Sequence, residues 1–242
     1  MAATFETPSL VKFFDPYGKD APYLRRGDQV KDSETEDNIP VKLVSLKGKL
    51  LFQIEYYHDP NPEKPDAYKL FRKSMSRLNG KEQQRFKTLI TDSVTSMELA
   101  ARMEQKYLIN PDTAQPMQWW AGATDRLEEM LINRYAGLDM NVVTITHISE
   151  EKVTVIGNVR KATGKTEMHD VLVRGLSAPG RLSRARGLPM AYSEVWRLYL
   201  EINDKNKPEW YVQTQGDGTW LAHSQIGAPD GCRPDYGDVW KE

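Results

Sequence analysis

Cysteine is almost missing: Cys232 stands alone among 242 residues. One thiol closes no internal disulfide, and without clustered Cys or His neighbours it builds no structural zinc site. A reducing, cytoplasmic setting is expected. An excess of charge of one sign is missing too. With 33 basic and 34 acidic side chains and a net charge of −1, nucleic acid has to be met by a local patch rather than by a basic whole. No window approaches the roughly 18 apolar residues of a membrane span, so no membrane partner is expected. The start, MAATFETPSLVKFFDPYGK, has no basic-then-apolar leader order. No solenoid period repeats.

The apolar and aromatic content that is present is ordinary for a globule, and it is ordered as an α/β pattern. Ser9 to Phe14 (SLVKFF) reads as a buried strand delivering Asp15 to a loop. Asp32 to Asn38 (DSETEDN) lacks apolar anchors and reads as a solvated loop. Val41–Leu46 and Leu50–Tyr57, joined by Lys47-Gly48-Lys49, read as a hairpin. Ala67 to Leu78 is amphipathic at helical spacing. Phe86 to Asp92 (FKTLITD) is a second apolar strand ending in an acid, and Ser93 to Leu108 continues as a helix. Gln118 to Tyr135 is helical to Gly137, followed by the β-branched run Asn141 to Ile148 (NVVTITHI). Strand, helix, helix, strand is a crossover, which predicts a mainly parallel sheet flanked by helices. Such sheets gather their chemistry at strand carboxyl ends, here Asp15, Asp92 and Thr146-His147. Beyond Ser149 the expected pattern is antiparallel: Lys152–Arg160 with the run after KATGK, then a meander of Glu194–Ile202, Pro208–Gln215 and Thr219–His223. Gly227 to Glu242 is Gly/Pro-rich and reads as a tail.

Asp92 at the end of an apolar strand suits a Mg²⁺ site, since Mg²⁺ keeps most of its waters and needs only one or two carboxylates. Asp and Ser equally cap helices, and a helix follows Ser93. Gly164-Lys165-Thr166 is no phosphate loop: the position five before Gly164 is Val159, and the triplet falls in a hairpin turn rather than between a strand and a helix. Arg174, Arg181, Arg184 and Arg186, interspersed with Gly175, Gly180 and Gly187, make a basic loop that can follow a nucleic-acid backbone or simply face water. Trp119 and Trp120 suit packing as well as base stacking.

The order of four segments resembles the RecA-like P-loop ATPases of phages, a group of nucleotide-binding, single-strand-annealing ATPases. They are VKFFDPYGK (Val11 to Lys19), FKTLITDSVTSM (Phe86 to Met97), NVVTITHI, and GRLSRARGLPMAYSEVWRLYLE (Gly180 to Glu201). The resemblance covers Phe5 to about Gly227, and it implies a RecA-like core over residues 1–227 with a tail at 228–242. It makes Phe86 to Met97 a Walker B strand and helix, with Asp92 holding Mg²⁺ through water and His147 sensing the γ-phosphate. Asp15, Asp92, Ser93 and Thr146 would line the ATP site. The implied partners are nucleotide, single-stranded DNA through the arginine loop, and further copies of the chain. The implied work is DNA recombination or replication; the alternative is a non-catalytic relative serving as a DNA- or protein-binding scaffold. In this family the phosphate loop precedes the Leu10–Asp15 strand, so the resemblance puts that loop upstream of Met1. Two departures argue against hydrolysis: Pro16-Tyr17 follows Asp15 where a catalytic Glu is usual, and His223-Ser224-Gln225 replaces a Lys-x-Arg pair.

Overall fold

Every residue of Ser9–Phe13 is buried, and this run forms the central strand β1. The structure is a computed structural model describing the chain except residues 1–4, 16–18, 79, 113–114, 157–167, 177–187, 204–205, 217–221 and 235–242. The strands β2 (Gln29–Glu34), β3 (Pro40–Leu46), β4 (Lys49–Tyr56), β5 (Thr88–Asp92) and β6 (Asn141–Ile145) join β1 in one sheet, in the order β2-β3-β4-β1-β5-β6. β4, β1, β5 and β6 run parallel. β2 and β3 extend the sheet antiparallel beyond β4. The chain is therefore an α/β fold with a mixed, mostly parallel sheet.

The β3–β4 hairpin closes where expected, and both Lys47 and Gly48 have positive φ (51° and 74°), the pairing a tight twisted turn requires. The acidic stretch is a different matter. Asp32, Ser33 and Glu34 belong to β2, an edge strand exposed at every position. It buries no face, so it carries no apolar alternation, and its charges discourage edge-to-edge pairing. Asp37, further along the same stretch, is drawn in to meet Lys73 and Arg77.

Alternation along β1 and β5 feeds two cores. Leu10, Phe14 and Leu89 face the helices α2 (Ala67–Arg77), α3 (Val94–Glu104) and α4 (Pro116–Glu128), packing against Tyr68, Phe71, Met97 and Leu127. Val11, Phe13 and Ile90 face the other way, toward Phe52, Ile54 and Tyr23 of the short helix α1 (Ala21–Leu24). The two long helical segments read from the sequence exist, but each ends in a π-helical turn, Gln105–Ile109 after α3 and Glu129–Arg134 after α4. Buried Glu104 holds three helices together by pairing with Arg72 of α2 and Arg126 of α4.

The C-terminal part contains a hairpin of β7 (Ile148–Ile156) and β8 (Met168–Leu176), a short helix α5 (Leu188–Ala191), and the strands β9 (Glu194–Val195), β10 (Arg197–Ile202), β11 (Pro208–Gln213) and β12 (His223–Ser224). The turn containing Gly164-Lys165-Thr166 lies outside the described residues. The expected meander is rearranged. β10 pairs with β11, but β12 pairs with β9, because the other edge of β11 is taken by Cys232, which bridges Val212. Ala228 is buried in that small cluster, so the Gly/Pro-rich stretch is built into the fold there.

Lys12, the one charged residue of β1, is fully buried. Its Nζ donates to Glu55 Oε2 and Ser74 Oγ, both at 2.6 Å, and lies 3.4 Å from the Tyr57 hydroxyl. Tyr57 and Ser74 donate to the same Glu55 oxygen, and Gln53 donates to the other. Burial pushes the Glu55 carboxyl up, and the Lys12 charge with these hydrogen bonds outweighs it, leaving a net lowering. Removing one partner leaves the other buried and uncompensated, so Lys12→Met should cost about 3–5 kcal/mol in chemical denaturation. The neutral double variant Lys12→Met/Glu55→Gln should be more stable than Lys12→Met alone; equal losses would contradict a charge-pair role.

Candidate functional site

Parallel strands end together, so β1, β5 and β6 deliver their last side chains to one rim of the sheet. Register fixes the arrangement: Phe13 lies beside Asp92, and Asp92 beside Ile145. Asp15 follows β1, Asp92 closes β5, and Thr146-His147 follow β6. The Phe14 N–H donates to the Asp92 carbonyl at 2.7 Å, carrying the pairing one step past the end of β1.

Ser93 is the N-cap of α3, its hydroxyl accepting from the Ser96 N–H at 3.3 Å. The cap reading of this dipeptide is correct for the serine and leaves the aspartate available. Both Ser93 and Ser96 donate their hydroxyls to Asp15 Oδ1 at 2.6 Å. Asp15 Oδ2 lies 3.5 Å from Lys19 Nζ and 3.8 Å from His147 Nε2. The His147 N–H is held by Thr95 Oγ1 at 3.1 Å, and Thr95 Oγ1 is 3.4 Å from Thr146 Oγ1. Asp92 turns to the opposite side of its strand from Thr91, and its Oδ2 accepts from the buried Tyr23 hydroxyl at 2.8 Å.

The two carboxylates are driven apart electrostatically. Burial pushes Asp15 up, but the Ser93 and Ser96 hydroxyls, with Lys19 and His147, more than compensate and hold it below the ordinary carboxylate value. Burial dominates at Asp92, the Asp15 charge adds to it, and the Tyr23 hydrogen bond only partly offsets them, so Asp92 is raised. A split pair of this kind is a recurrent feature of functional sites, where one carboxylate is kept charged and the other waits for a proton or a cation. Among the described residues no group of three or more His, Cys, Asp or Glu side chains is arranged to enclose a metal. Mg²⁺ held through its own waters needs only one or two carboxylates, and Asp92 would be its holder, with Asp15 as the neighbouring charge.

The five residues expected at the strand ends, Asp15, Asp92, Ser93, Thr146 and His147, are thus brought together. The arginine loop is not part of this picture: Arg181, Arg184 and Arg186 lie outside the described residues, and only the backbone of Arg174, in β8, is described. Sequence reading missed Tyr23, Lys19, Thr95 and Ser96. Asp15 to Lys19 and Ser93 to Ser96 are spacings at which side chains return to one another, and they were available signals. Tyr23 had none, because α1 is a single turn. No family model, curated protein or solved structure matches the chain. No helix among the described residues is long and apolar enough to cross a membrane.

The opposite shifts predict opposite mutational signs. A carboxyl raised in the folded state weakens folding above its raised value, and the penalty fades as pH falls through it; Asp92→Asn should therefore stabilise the protein near pH 7, by about 0.5–2 kcal/mol, and less at acid pH. A lowered carboxyl adds stability above its ordinary value, lost as pH falls through the depressed one; Asp15→Asn should destabilise near pH 7 by roughly 1–3 kcal/mol. Thermal denaturation of both variants at neutral and acid pH checks the pair of signs.

Proposed function

We propose that this chain is a RecA-like P-loop nucleotide-binding protein that acts in DNA recombination or replication and binds Mg²⁺-ATP weakly. The observation that carries the reading is the joint arrival of Asp15, Asp92-Ser93 and Thr146-His147 at the carboxyl ends of adjacent parallel strands, the place where open α/β sheets bind ligands. Helix α3 starts there as well, and the positive end of its dipole favours an anionic ligand at the same rim.

In this reading Asp92 holds the Mg²⁺ water shell, a role that suits a carboxylate whose raised pKa a neighbouring dication would bring down. Asp15 is the charged partner, fixed in orientation by Ser93 and Ser96. His147, half-exposed and 3.8 Å from Asp15, would be the γ-phosphate sensor. Thr146 lines the same rim. A phosphate loop of the G-x-x-x-x-G-K-[ST] form does not occur within residues 1–242, and residues 1–242 taken by themselves are expected to bind the nucleotide weakly. Single-stranded DNA would be met by Arg174, Arg181, Arg184 and Arg186, and the nucleotide site would work between copies in a homo-oligomer.

One observation favours the second reading, a non-catalytic scaffold that binds DNA or protein. Asp15 is already engaged at both oxygens, by Ser93 and Ser96 at one and Lys19 at the other, so the rim is largely satisfied without ligand.

Mn²⁺ with ATP distinguishes the two even at low affinity. Under the nucleotide reading, paramagnetic broadening in NMR spectra centres on residues 15, 92, 93, 146 and 147 and disappears in Asp92→Ala. Broadening spread over surface acids, or unchanged in that variant, overturns it. For DNA, replacing Arg181, Arg184 and Arg186 together by Ala should weaken single-strand binding and reduce its log–log salt slope by about 2. Binding that keeps a steep slope in this variant removes the arginine loop as the contact.

A further inference from the structure

The hairpin β10–β11 is sorted strictly by face. In an antiparallel pair, directly opposed residues point to the same side. The register pairs Leu198 with Val212, Leu200 with Trp210 and Ile202 with Pro208 on one face; Arg197 with Gln213, Tyr199 with Tyr211 and Glu201 with Glu209 lie on the other. The polar face is tied together across the strands. Arg197 donates to Gln213 and stands over the Tyr199 ring, the two tyrosine rings lie 5.9 Å apart, and Tyr211 donates to Glu209.

The apolar face is open where a core would be expected. Val212 is buried against Ala228, but Leu198 is 42% exposed, Leu200 50%, Ile202 70% and Trp210 56%. A two-stranded hairpin is marginal in water unless its apolar face is covered. Scattered exposed apolar residues need no explanation, whereas four neighbours on one sheet face make a patch.

We infer that this face is the contact between two copies of the chain, packed sheet on sheet about a two-fold axis. Side chains of this size, open to this degree, present on the order of 500 Å² of apolar surface, already at the upper end of what monomers leave bare. Laid on its own copy, the face removes roughly 1,000 Å² in total, the lower bound for a specific interface. The face carries no charge with which to select an unlike partner. It also alternates strictly, so its apolar side chains all stand on the side that would meet a second copy at the ordinary sheet-to-sheet distance of about 10 Å. The inference rests on the hairpin alone; a chain that stays monomeric would also remove the homo-oligomer from the nucleotide reading, but not its strand-end site.

Sedimentation velocity on the full chain, from about 1 to 100 µM, tests it together with the methyl NMR signals of Leu198, Leu200 and Ile202 followed on dilution. The wild type should pass from monomer to dimer over this range, and those methyl signals should shift in step. Ile202→Lys should weaken self-association at least tenfold, with the melting temperature of the dilute chain unchanged. A wild type that remains monomeric, methyl signals that ignore concentration, or association undiminished in Ile202→Lys would each overturn the inference. The dilution series needs no variant, so it decides the question even if Ile202→Lys fails to fold.

Discussion

The buried Lys12–Glu55 pair is the constraint on which the rest of the fold depends. Both charges lie within the sheet, directly opposed in register on β1 and β4, and Ser74 reaches them from α2. A strand slip of one residue would drive Lys12 into the core beside Tyr23 and Phe52 and leave Glu55 without its cation, a cost of several kcal/mol per ion. Apolar residues alone would tolerate more registers. Because β1 cannot slide, Asp15 emerges three residues later at a fixed height, and the pairing of β1 with β5 places Asp92 beside it. A pair that adds little net stability against a hydrophobic replacement thus specifies where the site is.

The rim that follows is built against its own comfort. Asp92 is half-buried with a like charge nearby and accepts a hydrogen bond from the Tyr23 hydroxyl, while Asp15 is surrounded by donors. A sheet selected for stability alone would place a neutral residue at 92. Holding an acid there is the kind of local conflict that functional sites retain, and a cation or an anion-bridged cation would relieve it. The helix start at Ser93 adds a further preference for negative ligand charge at the same place.

How much of this was legible in the sequence follows from what each signal measures. The strands β1, β3, β4, β5 and β6 and the helices α2, α3 and α4 were readable, because burial on one or both faces imposes a periodicity, and Lys47-Gly48 marked its turn. Asp15, Asp92 and His147 were readable as strand-end residues once the crossover made the sheet parallel. Edge strand β2 was not, since it buries nothing and alternates nothing. The pairings of β9 with β12 and of Cys232 with Val212 were not, because they depend on which segment reaches an edge first. Nor were Tyr23 and Lys12. Each is decided by a partner more than 40 positions away, Asp92 for the first and Glu55 for the second, and local pattern carries no such information.

The central claim is that two carboxylates at the strand ends, held apart in proton affinity, form a site for a cation carried by a nucleotide. The most direct measurement is the titration of the Asp15 and Asp92 side-chain carboxyls by NMR, with and without Mg²⁺-ATP. The account predicts that Asp15 titrates below and Asp92 above the ordinary aspartate value, and that Mg²⁺-ATP brings Asp92 down. Two carboxyls titrating together at the ordinary value, unmoved by Mg²⁺-ATP, would contradict it.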